Sequence, residues 1–297
     1  MLTLDSLRSV NGVIAVLSAL PRNGFGHLYV TLYSRDNFEL EYDGESQDEM
    51  HAKLAASFPE SVNQFSFYST LDLPHLPLTK HALLVDVETL VKLDPLPFAP
   101  TLRRLELYSY HDYLTDTDTN ILVRVFEHLP ATLTHLKSLS LIYCDLTAAN
   151  MDDYLTGQWP DTLCRLTLSG NYFTECLPTI PFGIRSLSVS VAEALLKTGG
   201  EAIVTTWVAS LPSSLRVLDL HWTRLLPNAD PLASILLQHL NIRVPGHTRR
   251  VQLRIVMSMV SAEMLVRLRD KFDLVDANMV RVSDVRPHPS FTECVFE

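Results

Sequence analysis

Apolar positions along the chain follow one spacing again and again. A bulky apolar residue meets a proline at Phe58-Pro59, Leu129-Pro130, Trp159-Pro160, Ile180-Pro181, Leu211-Pro212 and Val244-Pro245. After each proline runs the pattern L-x-x-L-x-L. Its clearest copies are Leu163, Leu166 and Leu168, continuing to Asn171 and Phe173; Leu136, Leu139 and Leu141, continuing to Cys144 and Leu146; and Leu215, Leu218 and Leu220, continuing to Thr223 and Leu225. Weaker copies begin at Val62, Leu102, Ile184 and Thr248. Successive copies start 40, 34, 27, 21, 31 and 33 residues apart, so the array is divergent. A repeat of this length predicts stacked supersecondary units with one continuous core. Proline ends a helix, lacking an N–H and clashing with the preceding turn, and biases the residue before it toward extended backbone. Each junction therefore predicts helix stop, short turn and strand start.

Helical spacing fills the intervals. Ile121, Leu122, Val125, Phe126 and Leu129 form an apolar stripe behind Thr119, and Ile203, Val204, Trp207, Val208 and Leu211 form another. Asp230-Pro231 predicts a helix N-cap with proline in the first turn, and Ser261 a second cap ahead of Met264, Leu265 and Leu268. Leu7, Val10, Ile14, Leu17 and Leu20 share one helical face. We read this segment as an N-terminal packing helix; a weak signal peptide is the competing reading, but Asp5 falls in the region that should be positive. The proline-rich stretch Leu71–Pro100 predicts an irregular unit or surface loop, and the short unit after Asn171 an extended or 3₁₀ connection.

The motif L-x-x-L-x-L-x-x-N/C-x-L resembles the leucine-rich repeat, and the longer units are similar to those of the ribonuclease-inhibitor type. The resemblance covers roughly residues 59–255. It implies an α/β solenoid with a curved parallel β-sheet on the concave face and helices and irregular turns on the convex face. The residue of the amide ladder is Asn only at Asn171; Cys144, Thr223, Thr70, Tyr110 and Ala192 occupy the other copies. Residues 1–58 are expected to form an N-terminal cap or degenerate first repeat, 59–255 the repeats, and 256–297 a C-terminal cap, in one continuous domain.

Period two along a strand places the leucines at positions 4 and 6 in the core and positions 3, 5 and 7 on the opposite face. The inner face then reads Gln64, Ser66, Tyr68; Arg104, Glu106, Tyr108; Ser138, Ser140, Ile142; Arg165, Thr167, Ser169; Ser186, Ser188, Ser190; Val217, Asp219, His221; and Arg250, Gln252, Arg254. The middle is hydroxyl-rich, which suggests a low, wet floor. The flanks carry the aromatic and charged types that anchor interfaces. The candidate partner-binding residues are Tyr68, Arg104, Glu106, Tyr108, Tyr110, Tyr143, Arg165, Asp219, His221 and Trp222.

Composition narrows the class of partner. Hydrophobic residues make up 47% and charged residues 20%, which excludes a mainly disordered chain. The net charge of −10, with Arg249, Arg250 and Arg254 the one basic cluster in sequence, argues against nucleic acid and anionic membrane as partners. Another protein is the expected partner; the oligomeric state stays open. Cys144, Cys164, Cys176 and Cys294 form no C-x-x-C pair, consistent with a reducing, cytoplasmic setting.

No cofactor is expected, and catalytic motifs are weak. Asp116, Asp118, Asn120 and Glu127 have calcium-loop spacing, but Ile121 stands where the sharp turn needs glycine. No G-x-S-x-G, Walker A or dinucleotide glycine pattern occurs. The expectation is a non-enzymatic protein-interaction module. The substrate-recognition subunit of a ubiquitin ligase is one alternative, with only Leu20-Pro21 as a fragment of an adaptor motif. A hydrolase with a groove site near Asp219 and His221 is a weaker one.

Overall fold

The apolar pair at positions 4 and 6 drives the architecture. Leu105 and Leu107, Leu139 and Leu141, Leu166 and Leu168, Leu187 and Val189, and Leu218 and Leu220 are all buried. Each removes from water an aliphatic side chain worth about 1.5–3 kcal/mol. The computed structural model describes residues 1–4, 10–32, 46–69, 73–91, 93, 96–109, 122–123, 125–126, 133–149, 151, 159–171, 173–191, 194–197, 200–220, 228–240, 250–255 and 259–276. Among them, eleven strands form a single sheet: β1 (Leu2–Leu4), β2 (Phe25–Leu32), β3 (Ser61–Ser69), β4 (Leu78–Asp86), β5 (Arg104–Tyr108), β6 (Ser138–Ile142), β7 (Arg165–Leu168), β8 (Ser186–Val189), β9 (Val217–Asp219), β10 (Gln252–Ile255) and β11 (Asp273–Asp276). Every strand lies parallel to, and beside, its predecessor in the chain. That order, with helices in the described connections, is a leucine-rich-repeat solenoid.

The connections carry helices α1 (Val10–Ser18), α2 (Gln47–Ser57), α3 (Val87–Val91), α4 (Ala194–Lys197), α5 (Glu201–Ser210), α6 (Asp230–His239) and α7 (Ala262–Lys271). The expected N-terminal packing helix is α1, which buries Val10, Val13 and Leu17 and packs on α2. A reciprocal pair of Ser46 and Glu49 bonds caps α2. The stripe at 121–129 is described only in part, and there Leu122, Val125 and Phe126 are buried; Thr119 and the calcium-spaced acids lie outside the described residues.

Where the proline junctions are described, their parts are present; Leu129-Pro130 and Val244-Pro245 lie outside the described residues. Phe58 and Leu211 end α2 and α5 and are buried. The carbonyls of Pro160, Pro181 and Pro212 accept from the N–H groups of Leu163, Ile184 and Leu215 at 2.9, 3.2 and 3.0 Å, closing a turn before each strand. The residue just before the first leucine adds a cross-repeat clip. Thr101 donates to the carbonyl of Lys80 at 2.8 Å. Thr162 lies 2.8 Å from the carbonyls of both Thr134 and Leu136, and Ser214 lies 2.7 Å from those of Phe182 and Ile184. Each hydroxyl proton serves one carbonyl at a time.

One expectation is narrowed and two are corrected. Leu71–Pro100 is an irregular repeat unit and not a surface loop: it contains β4 and α3. Its repeat escapes the leucine pattern because Thr79 faces Val62 in the first-leucine place, and one extra residue shifts the register before Ala82. Thr79 is fully buried and satisfies its hydroxyl on the carbonyl of Pro77 at 3.2 Å. Next, Asp230 does not cap α6. It is the first helical residue; Asn228 accepts its N–H at 3.0 Å, while its own carboxylate accepts from the N–H of Ser261 at 2.8 Å and ties α6 to the next unit. Ser261 caps α7 as expected. Finally, β10 pairs two residues later than the spacing suggests: Leu253, not Val251, faces Leu218. The same side chains still face inward, but Arg250 falls ahead of the strand.

Candidate functional site

The register converts the inward-facing positions into rows across the sheet. One row runs Glu106, Ser140, Thr167, Ser188, Asp219 and Arg254 from β5 to β10. The row beside it brings Arg104, Ser138, Arg165 and Ser186 into line. At about 4.8 Å per strand, Glu106 and Asp219 lie about 19 Å apart along the sheet. This row has charged groups at both ends, with hydroxyls between them.

Each charged end is an ion pair with the cation outermost. The Arg104 guanidinium lies 2.9 Å from Glu106, with side-chain exposures of 46% and 12%. Arg254 lies 3.7 Å from Asp219, with exposures of 45% and 13%. Both carboxylates are thus covered by arginines, and the face offers solvent its guanidinium groups. Exposed pairs of this kind add at most about 1 kcal/mol to stability.

The floor between them is drier than hydroxyl composition suggests. Ser140 and Ser169 are buried. The Ser169 and Ser188 hydroxyls are 2.9 Å apart, and Ser190 accepts from the N–H of Gly170 at 3.0 Å. Tyr108 belongs to this floor. It is 6% exposed, packs with Leu84 against Tyr29 and Ile142, and donates its hydroxyl to the carbonyl of Phe67 at 2.9 Å. It is a structural tie across β4 with little surface left for a partner.

Tyr143 stands just beyond β6, 38% exposed, in left-handed backbone with φ 55°. Asp145 repeats that conformation with φ 47°. Two such residues around one turn have a cause. Asn171, buried one repeat later, accepts from the N–H groups of Cys144 and Leu146 at 2.9 and 3.2 Å and donates to the carbonyl of Leu141 at 2.8 Å. The left-handed turns aim both N–H groups at one amide oxygen. In the next repeat Gly170 occupies the place of Tyr143, with φ 75°, and a Cβ there would run into the Tyr143 ring. The ring occupies the space that a side chain at position 170 would need.

Burial, with Asp86 nearby, pushes the Cys144 thiol well above its ordinary range, so it remains a neutral thiol. Burial also raises the Asp145 carboxyl. Of the remaining candidates, Arg165 is exposed on β7. Tyr68 lies on β3, paired with Thr31, but its side chain is outside the described residues, as are Tyr110, His221 and Trp222 altogether. Among the described residues no group of His, Cys, Asp or Glu is placed to hold a metal ion, and no helix is long and apolar enough to cross a membrane.

No protein-family profile matches the chain, and no curated protein matches it. Among solved structures it is similar to the leucine-rich repeat-containing protein LegL7 from Legionella pneumophila, with 18% identity over 93% of this chain and 90% of that one, at a TM-score of 0.47. The strand order, the proline turns and the Asn171 ladder by themselves make the fold a divergent leucine-rich-repeat solenoid.

Proposed function

We propose that this chain is a non-enzymatic protein-interaction module that recognises another protein through the concave face of its sheet. The observation that carries the reading is the composition of that face. Arg104, Arg165 and Arg254 are exposed on β5, β7 and β10 of one sheet, and Tyr143 stands just beyond β6. Arginine and tyrosine are the residue types that carry most energy at interfaces. A pre-ordered sheet loses little backbone entropy on binding, so such anchors contribute most of their worth.

Capture from native lysate by the immobilised chain tests this reading. Arg104→Ala/Arg165→Ala alters the concave face, and Ile203→Glu/Val266→Glu alters exposed positions on α5 and α7. With thermal stabilities matched, the arginine pair is expected to lose the captured partner and the helix pair to retain it. The reverse pattern would remove the concave face as the binding surface.

A further inference from the structure

Basic residues that lie far apart in the chain fall on neighbouring rungs of the sheet. The residue immediately ahead of each strand from β5 to β9 is Arg103, Lys137, Cys164, Arg185 and Arg216. Their backbones are joined in that order: Lys137 N–H to the carbonyl of Arg103 at 2.8 Å, Cys164 to Lys137 at 3.0 Å, Arg185 to Cys164 at 2.8 Å, and Arg216 to Arg185 at 2.7 Å. Arg104 and Arg165 adjoin this column one position later, with Ser138 between them. Arg103, Arg104, Lys137, Arg165 and Arg185 are exposed and Arg216 partly so. Between the junction prolines and these strands, Asp161 is the one carboxylate among the described residues; Glu175 lies earlier in the connection to β8. A chain of net charge −10 thus gathers positive charge along the starting edge of its sheet.

The same edge carries Phe182, 80% exposed in the turn ahead of β8. Ser214 holds that turn through the Phe182 carbonyl at 2.7 Å, so the exposed ring sits on a fixed base.

We propose that the starting edge of β5–β9 is a docking strip for an extended acidic segment of a partner protein, with Phe182 receiving an apolar side chain of that segment. This rests on the protein-binding reading above and adds the class of partner. The dimensions agree. Five rungs span about 19 Å, which an extended peptide crosses in about six residues, with alternate side chains about 6.8 Å apart facing the strip. Three carboxylates on that side would meet the column of arginines, whose planar fork suits carboxylates. Screening limits the field to about 8 Å at physiological salt. A short acidic segment can therefore sit within the strip, whereas a long polyanion also meets the acidic remainder of the chain.

The probe is a fluorescein-labelled peptide of about ten residues, alternating Glu and Ser around one central Leu, followed by anisotropy against the full chain. Its Gln-for-Glu counterpart and a single-stranded DNA of equal charge serve as comparisons. Arg103→Glu/Arg185→Glu/Arg216→Glu reverses the strip. Lys53→Glu/Arg267→Glu/Arg269→Glu makes the same charge change on α2 and α7. If the first variant melts early, Arg103→Gln/Arg185→Gln/Arg216→Gln replaces it. The Glu peptide should bind, the Gln peptide should not, and the strip variant should bind at least about tenfold more weakly, with the helix variant within about twofold of the unaltered chain. Equal weakening by both variants, or DNA binding tighter than the Glu peptide, would overturn the proposal. So would concentration-dependent self-association in sedimentation that the strip variant abolishes, because the occupant would then be a second copy. Loss of lysate capture in Arg104→Ala/Arg165→Ala without any binding of the Glu peptide would leave the concave-face reading intact and end the acidic-strip proposal.

Discussion

Asn171→Ala removes one side chain and strands three backbone groups. The N–H groups of Cys144 and Leu146 lose their shared acceptor, and the carbonyl of Leu141 loses its donor. All three residues are at most 1% exposed and Asn171 itself is 4% exposed, so solvent does not replace the amide without opening the turn. A buried polar group left unpaired costs about 1–3 kcal/mol, and three of them about 3–6 kcal/mol after partial relaxation. The left-handed turns at Tyr143 and Asp145 persist because Asn171 over-determines them, so their strain works in the same direction. Such a loss is a large share of a domain stability of about 5–15 kcal/mol. In a solenoid it falls mainly on the β6–β7 interface, because each unit contacts its neighbours alone. A thermal melt should drop by more than about 6 °C. Hydrogen exchange at the Cys144 and Leu146 amides should accelerate well beyond that at β9 and β10. A melt within about 2 °C of the unaltered chain, with those two amides still protected, would show that the ladder is dispensable and that the argument from unpaired groups is wrong here.

Two further outcomes follow from the same turn. Gly170→Ala meets the Tyr143 ring and a φ of 75°, and should lower stability by about 1–3 kcal/mol in denaturant titration. In a Tyr143→Ala background part of that loss should disappear, and strict additivity would exonerate the ring. Cys144, buried beside Asp86, should resist Ellman's reagent in the folded chain, while exposed Cys176 reacts. Its folded thiol deprotonates at higher pH than the unfolded one, so its contribution to stability is complete below the ordinary value of 9.0 and is lost progressively above it. Labelling of Cys144 at the rate of Cys176 under native conditions would contradict the burial.

The strands were legible wherever apolar residues alone define the repeat, and obscure where another interaction stands in for them. Seven strands followed from L-x-x-L-x-L. β4 did not, because Thr79 takes the place of a leucine and an inserted residue breaks the count, both of which depend on a hydrogen bond and a bulge. β2 was different: Phe25, Leu28 and Val30 carry the full spacing behind Leu20-Pro21, and the signal was present in the chain. β1 and β11 lack the full spacing: β1 holds only Leu2 and Leu4, and in β11 Asp276 faces Ile255 where the pattern wants an apolar residue. β11 adds acidic residues at both ends, which suits a strand at the edge of a sheet and hides it from a hydrophobic pattern. Asp230 was misplaced because its sequence context fits a cap, while the helix takes in Asp230 as its first residue and Asn228 accepts that residue's N–H.

Side-chain identity on the inner face was readable from period two, but side-chain availability was not. Tyr108 has the right parity for an interface anchor, yet its hydroxyl reaches the Phe67 carbonyl across β4, a contact between residues 41 apart in sequence. The starting edge shows the converse. Arg103, Lys137, Arg185 and Arg216 lie in repeats of unequal length, so no short window along the chain gathers these four and the net charge points the other way. Only the backbone bonds from rung to rung put them in one column. Charge that is dilute in sequence becomes dense in a solenoid whenever it recurs at one repeat position, because stacking replaces a spacing of 21 to 34 residues with about 4.8 Å. A partner reads that column and not the composition, so an acidic chain of this fold can still select an acidic ligand.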